Sequence, residues 1–384
     1  MVIPYGKQDI SQDDIDAVVE TLKSDFLTQG PKVSEFENSF ANYIGSKYAV
    51  AVSNGTAALH LCALALTVKE NVNVITTPIT FAASANCIRY CGGNVYFCDI
   101  NPDTFLIDTK KLIELIKSKP KGFFSGVIPV DFAGLAVNLE EIKKIALENN
   151  LWIIEDACHA PGGFFIDSKG IKQNCGNSNF ADLAIFSFHP VKHIATGEGG
   201  MITTNNKELY DKLILLRTHG ITKNSDLLIE NHGPWYYEMQ ELGYNYRIPD
   251  MLCALGISQL KRAKEGLNKR KKIAEIYRNA FKNCKNIFIQ SNENINGHAY
   301  HLFIIKTKKR VELYNLLKAN NVFAQVHYIP VHIMPYYKNL GYKVGDFPES
   351  EEYYKECLSL PMYPTLSKEE QNFVIQLILK FDEQ

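Results

Sequence analysis

The chain has 384 residues, enough for a large α/β domain with a smaller companion. Apolar residues make up 46% and charged residues 22%, which excludes a disordered chain and matches an ordinary globular one. The formal net charge of -1 gives no electrostatic ground for nucleic acid or a membrane surface as partner, and no apolar run approaches the roughly 20 residues of a membrane span.

Ser11, followed by Asp14 and the apolar series Ile15, Val18, Val19 and Leu22, predicts a capped first helix. Short apolar runs then alternate with amphipathic ones. The spacing predicts strands at Tyr48 to Ser53, Val72 to Thr77, Val95 to Asp99, Gly126 to Asp131, Trp152 to Asp156, Leu183 to Ser187 and Met201 to Thr204. Most are apolar on both faces, which implies a mainly parallel seven-stranded sheet covered by helices. The pattern changes near residue 248, so a large domain over 1–248 and a smaller α+β domain over 249–384 are expected. In the second, one long helix is predicted from Gln259 to Arg278, strands at Tyr300 to Ile305 and Val322 to Tyr328, and a closing helix from Ser367 to Phe381.

Nine cysteines, an odd number spread through apolar stretches, argue against a disulfide framework and for a reducing compartment, so a cytoplasmic location is expected. Cys87 and Cys91 form the one close pair; without a second pair or clustered histidines they give no zinc pattern, and no metal is expected. Met1 to Tyr5 runs into Gly6, Lys7 and an acidic helix start, unlike a signal peptide.

In a parallel sheet, side chains at the carboxyl ends of strands and the helix starts that follow face one crevice. The first predicted strand ends in Ser53-Asn54-Gly55-Thr56-Ala57-Ala58 and turns into an apolar helix. That is either a tight connection or a phosphate cradle made by small residues and free helix-start N–H groups. Asp156 closes the run from Leu151 to Glu155 and is either a helix N-cap or a carboxylate delivered to the crevice. Lys192 lies in Phe186-Ser187-Phe188-His189-Pro190-Val191-Lys192-His193, between two strands and before a Gly-rich turn at Gly197-Glu198-Gly199-Gly200. An amine to form an imine, a carboxylate to keep a pyridine nitrogen protonated and helix-end donors for a phosphate are together what pyridoxal 5'-phosphate (PLP) requires.

The segments Leu27 to Pro31, Ser53 to Leu59, Glu155 to Ala160, Phe186 to Met201, Gly243 to Arg247 and Leu360 to Pro364 resemble, in order and spacing over nearly the whole chain, the DegT/DnrJ/EryC1/StrS family of sugar aminotransferases. The resemblance implies PLP fold type I, the aspartate-aminotransferase-like fold, and a homodimer with shared active sites. It makes Lys192 the Schiff-base lysine and Asp156 the partner of the pyridine nitrogen. Phe81 is placed on the ring, with His159 as a packed neighbour or polar contact of it. Thr56, Ala57 and Ser187 fall at phosphate-holding positions, beside Asn54 and Gly55 as further cofactor-binding residues, with Asn245 donated from the neighbouring subunit. Pro161-Gly162-Gly163 departs from the family pattern and leaves that wall of the site open; His193 stands where the family often has Pro and is taken as a loop residue.

Gly233 to Leu242 and Val326 to His332 further resemble the branch acting in pseudaminic acid biosynthesis. That branch aminates C4 of UDP-2-acetamido-2,6-dideoxy-β-L-arabino-4-hexulose to UDP-4-amino-4,6-dideoxy-N-acetyl-β-L-altrosamine, with L-glutamate as donor. By this resemblance Tyr5, Asp25, Phe26, Leu27, Thr28, Val326, His327 and Tyr328 meet the UDP-linked sugar. The competing expectations are another nucleotide-sugar aminotransferase of legionaminic-acid or perosamine type, a sugar dehydratase and a PLP-binding regulator without turnover. A lysine at position 192, where the dehydratases carry His, speaks against the dehydratase.

Overall fold

A computed structural model of the chain describes residues 2–291 and 295–383. All seven predicted strands lie in one sheet, in the order Tyr48–Val52, Gly200–Thr204, Leu183–Ser187, Trp152–Asp156, Phe124–Ile128, Asn73–Thr76, Asn94–Phe97. Gly200–Thr204 runs antiparallel to both neighbours, and the other contacts in the sheet are parallel. The strands are buried on both sides because helices cover both faces; one apolar cluster gathers Ala51, Ile75, Val127 and Ile153, another Val50, Val74, Ile128 and Ile154. Alternation along each strand thus feeds two cores, the reason these runs read as continuously apolar.

The first helix, Gln12–Leu22, begins at Ser11 with the expected reciprocal bonds between Ser11 and Asp14. The long helix expected from Gln259 to Arg278 is two helices, Asp250–Lys261 and Ala263–Phe281, parted at Arg262. The cause is distant in sequence: the Arg262 guanidinium reaches Asp9 at 3.0 Å and Asp14 at 2.5 Å. The earlier start is also tertiary, since the Asp250 carboxylate accepts from the N–H groups of Gly30 and Lys32 and so caps the helix Pro31–Ile44.

Two other expectations shift. The run Tyr300 to Ile305 becomes a strand only at Phe303–Lys306, because Tyr300 holds a left-handed φ of 51° that a strand cannot contain. Of Val322 to Tyr328, only Val322–Phe323 pairs as a strand, with Ile3–Pro4 near the amino terminus; Val326, His327 and Tyr328 leave the ladder. Phe303–Lys306 sits between two strands not anticipated from sequence, Phe288–Ile289 and Cys357–Leu360. The closing helix runs Lys368–Asp382 behind an N-cap at Ser367.

Candidate active site

A cavity of about 760 Å³ opens at the carboxyl ends of the parallel strands, the size expected for a small-molecule site. Tyr5, Asn54 to Ala57, Phe81, Asp156, His159, Ser187, Lys192, His327 and Tyr328 all line it, joined by Ser84, Tyr90, Glu198, Tyr246 and His301. Lys192 and Asp156 therefore share one chamber.

One end of the chamber is the start of helix Gly55–Ala65. Asn54 caps it, its side-chain oxygen accepting from Ala57 N–H at 2.8 Å. The N–H groups of Gly55 and Thr56 have no intrahelical acceptor, as for any first turn. A Cβ on Gly55 would crowd Ser187 Cβ at 3.0 Å, and one on Gly200 would stand 2.6 Å from the Asn54 backbone, so Gly200 is required for this packing. An orphaned row of donors behind small residues is an anion cradle.

At the floor, strand Trp152–Asp156 ends on Asp156, whose Oδ2 accepts from Ser84 Oγ at 2.6 Å and whose Oδ1 accepts from Cys158 N–H at 3.2 Å. Directly behind it lie Glu155 and Asp131, both buried. Glu155 accepts from Gly176 N–H with both oxygens at 2.9 Å, and Asp131 Oδ1 accepts from Val137 N–H at 2.8 Å. Burial and mutual repulsion raise the Glu155 carboxyl well above its usual range; burial pushes Asp131 up to about 6. Two adjacent carboxylates in an apolar setting cannot both ionise cheaply, so the pair shares a proton near neutrality.

Lys192 stands on the loop between strands Leu183–Ser187 and Gly200–Thr204, which is closed at its base where Phe188 N–H donates to Gly199 O at 2.8 Å. Burial lowers the proton affinity of its amine, aided by the Arg270 guanidinium and opposed by Cys158 and Asp156. His159 accepts from Ala133 N–H on Nδ1 at 3.2 Å, which puts its proton on Nε2, 3.1 Å from the Tyr328 hydroxyl. Phe81 stands at the mouth, its ring 6.2 Å from that of Tyr328, and Tyr5 packs against His327 at 5.2 Å.

Other expected residues are not in this lining. Asp25, Phe26, Leu27 and Thr28 are exposed, with Thr28 bridging Pro249. Asn245 is exposed and bridges Thr218. Val326 packs against the apolar cores. His193 turns away from the chamber, its Nε2 2.8 Å from Ala299 O. Ser84 and His301 were not anticipated; the first lies at the start of helix Ala83–Tyr90 and the second just before the strand Phe303–Lys306, neither with a local signature.

The aminotransferase family model spans residues 8–379, nearly the whole chain. The chain belongs to the DegT/DnrJ/EryC1/StrS aminotransferase family. It is a PLP-dependent sugar aminotransferase. Among its relatives are a Campylobacter jejuni protein named UDP-4-amino-4,6-dideoxy-N-acetyl-beta-L-altrosamine transaminase, 38% identical over 97% of this chain and 96% of the relative. The spore coat polysaccharide biosynthesis protein SpsC of Bacillus subtilis is likewise 38% identical, over 98% of this chain and 96% of its own. Among solved structures, Helicobacter pylori PseC, described as an aminotransferase involved in the biosynthesis of pseudoaminic acid, superposes with a TM-score of 0.88 at 28% identity over 100% of both chains. The chamber of this family member fits PLP: an amine and a carboxylate share it, and a glycine-lined helix start closes one end.

Proposed function

We propose that this aminotransferase acts on C4 of a UDP-linked 4-keto sugar, converting UDP-2-acetamido-2,6-dideoxy-β-L-arabino-4-hexulose to UDP-4-amino-4,6-dideoxy-N-acetyl-β-L-altrosamine with L-glutamate as donor, in pseudaminic acid biosynthesis. The observation that carries the reading is the shared chamber of Lys192 and Asp156, walled by His327 and Tyr328, in a chain so similar to the Campylobacter enzyme.

PLP supplies an aldehyde carbon that bonds amines and a ring that accepts electrons. Lys192 Nζ would hold that carbon between turnovers and, displaced by the incoming amine, would carry a proton between substrate and cofactor. Both duties need the uncharged amine, which burial favours. Asp156, steered by Ser84 and Cys158 N–H, would keep a proton on the ring nitrogen. Asn54, Gly55, Thr56, Ala57 and Ser187 would hold the phosphate, Phe81 and His159 would flank the ring, and Asn245 would arrive from the second subunit of a homodimer. Tyr5, His327 and Tyr328 would meet the sugar nucleotide; Asp25 to Thr28 and Val326, outside one protomer's chamber, rest on the resemblance alone. The same reading takes 1–248 as the cofactor domain, 249–384 as the small domain, and the cytoplasm as the place of action.

The equal identity to the spore coat protein favours a second reading, the same chemistry on a different keto sugar. Incubation with glutamate and a panel of UDP-4-keto sugars, followed by NMR of the product, separates the two. The altrosamine product supports the first; amination of another sugar in its place overturns it.

A further inference from the structure

We infer that His301 is the positioning residue of Lys192, its Nε2–H donating to the lone pair of the ε-amine and aiming that amine into the chamber. The inference deepens the reading of Lys192 above and rests on it for any part in turnover.

His301 Nε2 lies 3.4 Å from Lys192 Nζ. The imidazole is 4% exposed, and its Nδ1 has no hydrogen-bond partner among the described residues. A neutral imidazole carries one N–H and one bare nitrogen. On Nδ1 the proton would be buried with nothing to receive it, which is the costly arrangement for a donor. On Nε2 it faces Lys192, and an ammonium has no lone pair to accept it. That tautomer therefore requires the uncharged amine.

The surrounding groups leave His301 in this part. His159 and His193, with ring centroids 4.3 and 5.8 Å from His301, have their own tautomers fixed by Ala133 N–H and Ala299 O. Burial holds His159, His193, His301 and His327 neutral, with the Arg270 guanidinium adding to it at His193 and His301. Asp156 and Cys158 favour a charged Lys192, whereas burial and Arg270 oppose it. The backbone that carries the imidazole is also fixed in place. Arg270 Nη1 donates to the carbonyls of Tyr300 and His301 at 3.3 Å and of Met362 at 2.8 Å. Gly134, at a φ of +98°, lets the backbone pass so close that a Cβ there would stand 3.0 Å from His301 N.

The test is nitrogen NMR on the cofactor-free protein labelled at its 10 histidines, with the His301 signals assigned by their loss in His301→Phe. The expected result is a bare Nδ1 and a protonated Nε2 at neutral pH, giving way to a mixture of tautomers in Lys192→Met, where the acceptor is gone. A proton on Nδ1, an imidazolium, or a tautomer indifferent to the loss of Lys192 would overturn the inference. Where Lys192→Met does not fold, the assigned wild-type spectrum still decides, and His301→Asn serves for the assignment should His301→Phe not fold. Binding of PLP, followed separately by its yellow absorbance, tests the reading of Lys192 itself.

Discussion

Ser84 Oγ lies 2.6 Å from Asp156 Oδ2 and 2.8 Å from Thr80 Oγ1. A carboxylate can only accept, so the single Ser84 proton goes to Asp156 and Thr80 donates to Ser84. This chain of hydroxyls fixes which way the carboxylate faces. Ser84→Ala breaks it, and a hydrogen bond to a charged group contributes about 1.5 to 3 kcal/mol. PLP affinity, read by absorbance titration, is expected to weaken about tenfold.

Lys192→Ala is expected to abolish the yellow internal adduct and to lower turnover by at least about 10³-fold, the scale of losing both a nucleophile and a general base. Asp156→Asn separates the two functions. It keeps the amine, so colour is retained, while turnover with glutamate falls by about 10²-fold or more because the ring no longer holds its proton. Absorbance and single-turnover kinetics on the two variants check the assignment; wild-type turnover in either would refute its role.

The seven strands were legible because most are short runs buried on both faces, and the meeting of Asp156 and Lys192 in one chamber because strand ends in such a sheet converge. What could not be read depends on partners far along the chain. The break at Arg262 is set by Asp9 and Asp14, and the late start of the strand Phe303–Lys306 follows from the left-handed Tyr300. The place of His301 likewise depends on Lys192 and Arg270, which no local pattern announces.

The buried Asp131 and Glu155 pair gives stability a pH dependence with a definite sign. Asp131 holds its proton up to about 6, against 3.8 for an ordinary aspartate, and Glu155 is raised as well. Between those limits the folded state binds more protons than the unfolded, so their contribution is present at low pH and lost as pH rises through the folded values. Asp131→Asn keeps an oxygen for Val137 N–H and gains a donor for Glu155. Urea denaturation should find its stability falling less than that of the wild type over this window, and equal slopes would contradict the shared proton.

Two left-handed glycines provide a matched pair. At Gly134 a Cβ would lie 2.8 Å from His159 O and Tyr300 N, whereas at Gly122, φ +80°, nothing lies within 4 Å. Gly122→Ala carries only the conformational cost of about 1 to 2 kcal/mol; Gly134→Ala adds a backbone clash and is expected to lose about 3 kcal/mol or more. Denaturant midpoints compare them directly.

If a site is completed by Asn245 from a second subunit, Lys192→Ala and Asn245→Ala damage different halves of it. A random mixture of the two inactive proteins then restores about a quarter of wild-type activity, since half the dimers are mixed and each has one intact site. Absence of recovery after subunit exchange would place Asn245 with its own protomer's Lys192.

The strand Ile3–Pro4 pairs with Val322–Phe323, and Tyr5 O accepts from Met362 N–H at 2.9 Å. The leading segment is thereby sewn to the stretch that carries His327, and Tyr5 and His327 form adjoining panels of the same wall. Cutting or loading the chain a few residues from its start is thus a perturbation of that wall of the chamber, delivered from the far end of the sequence.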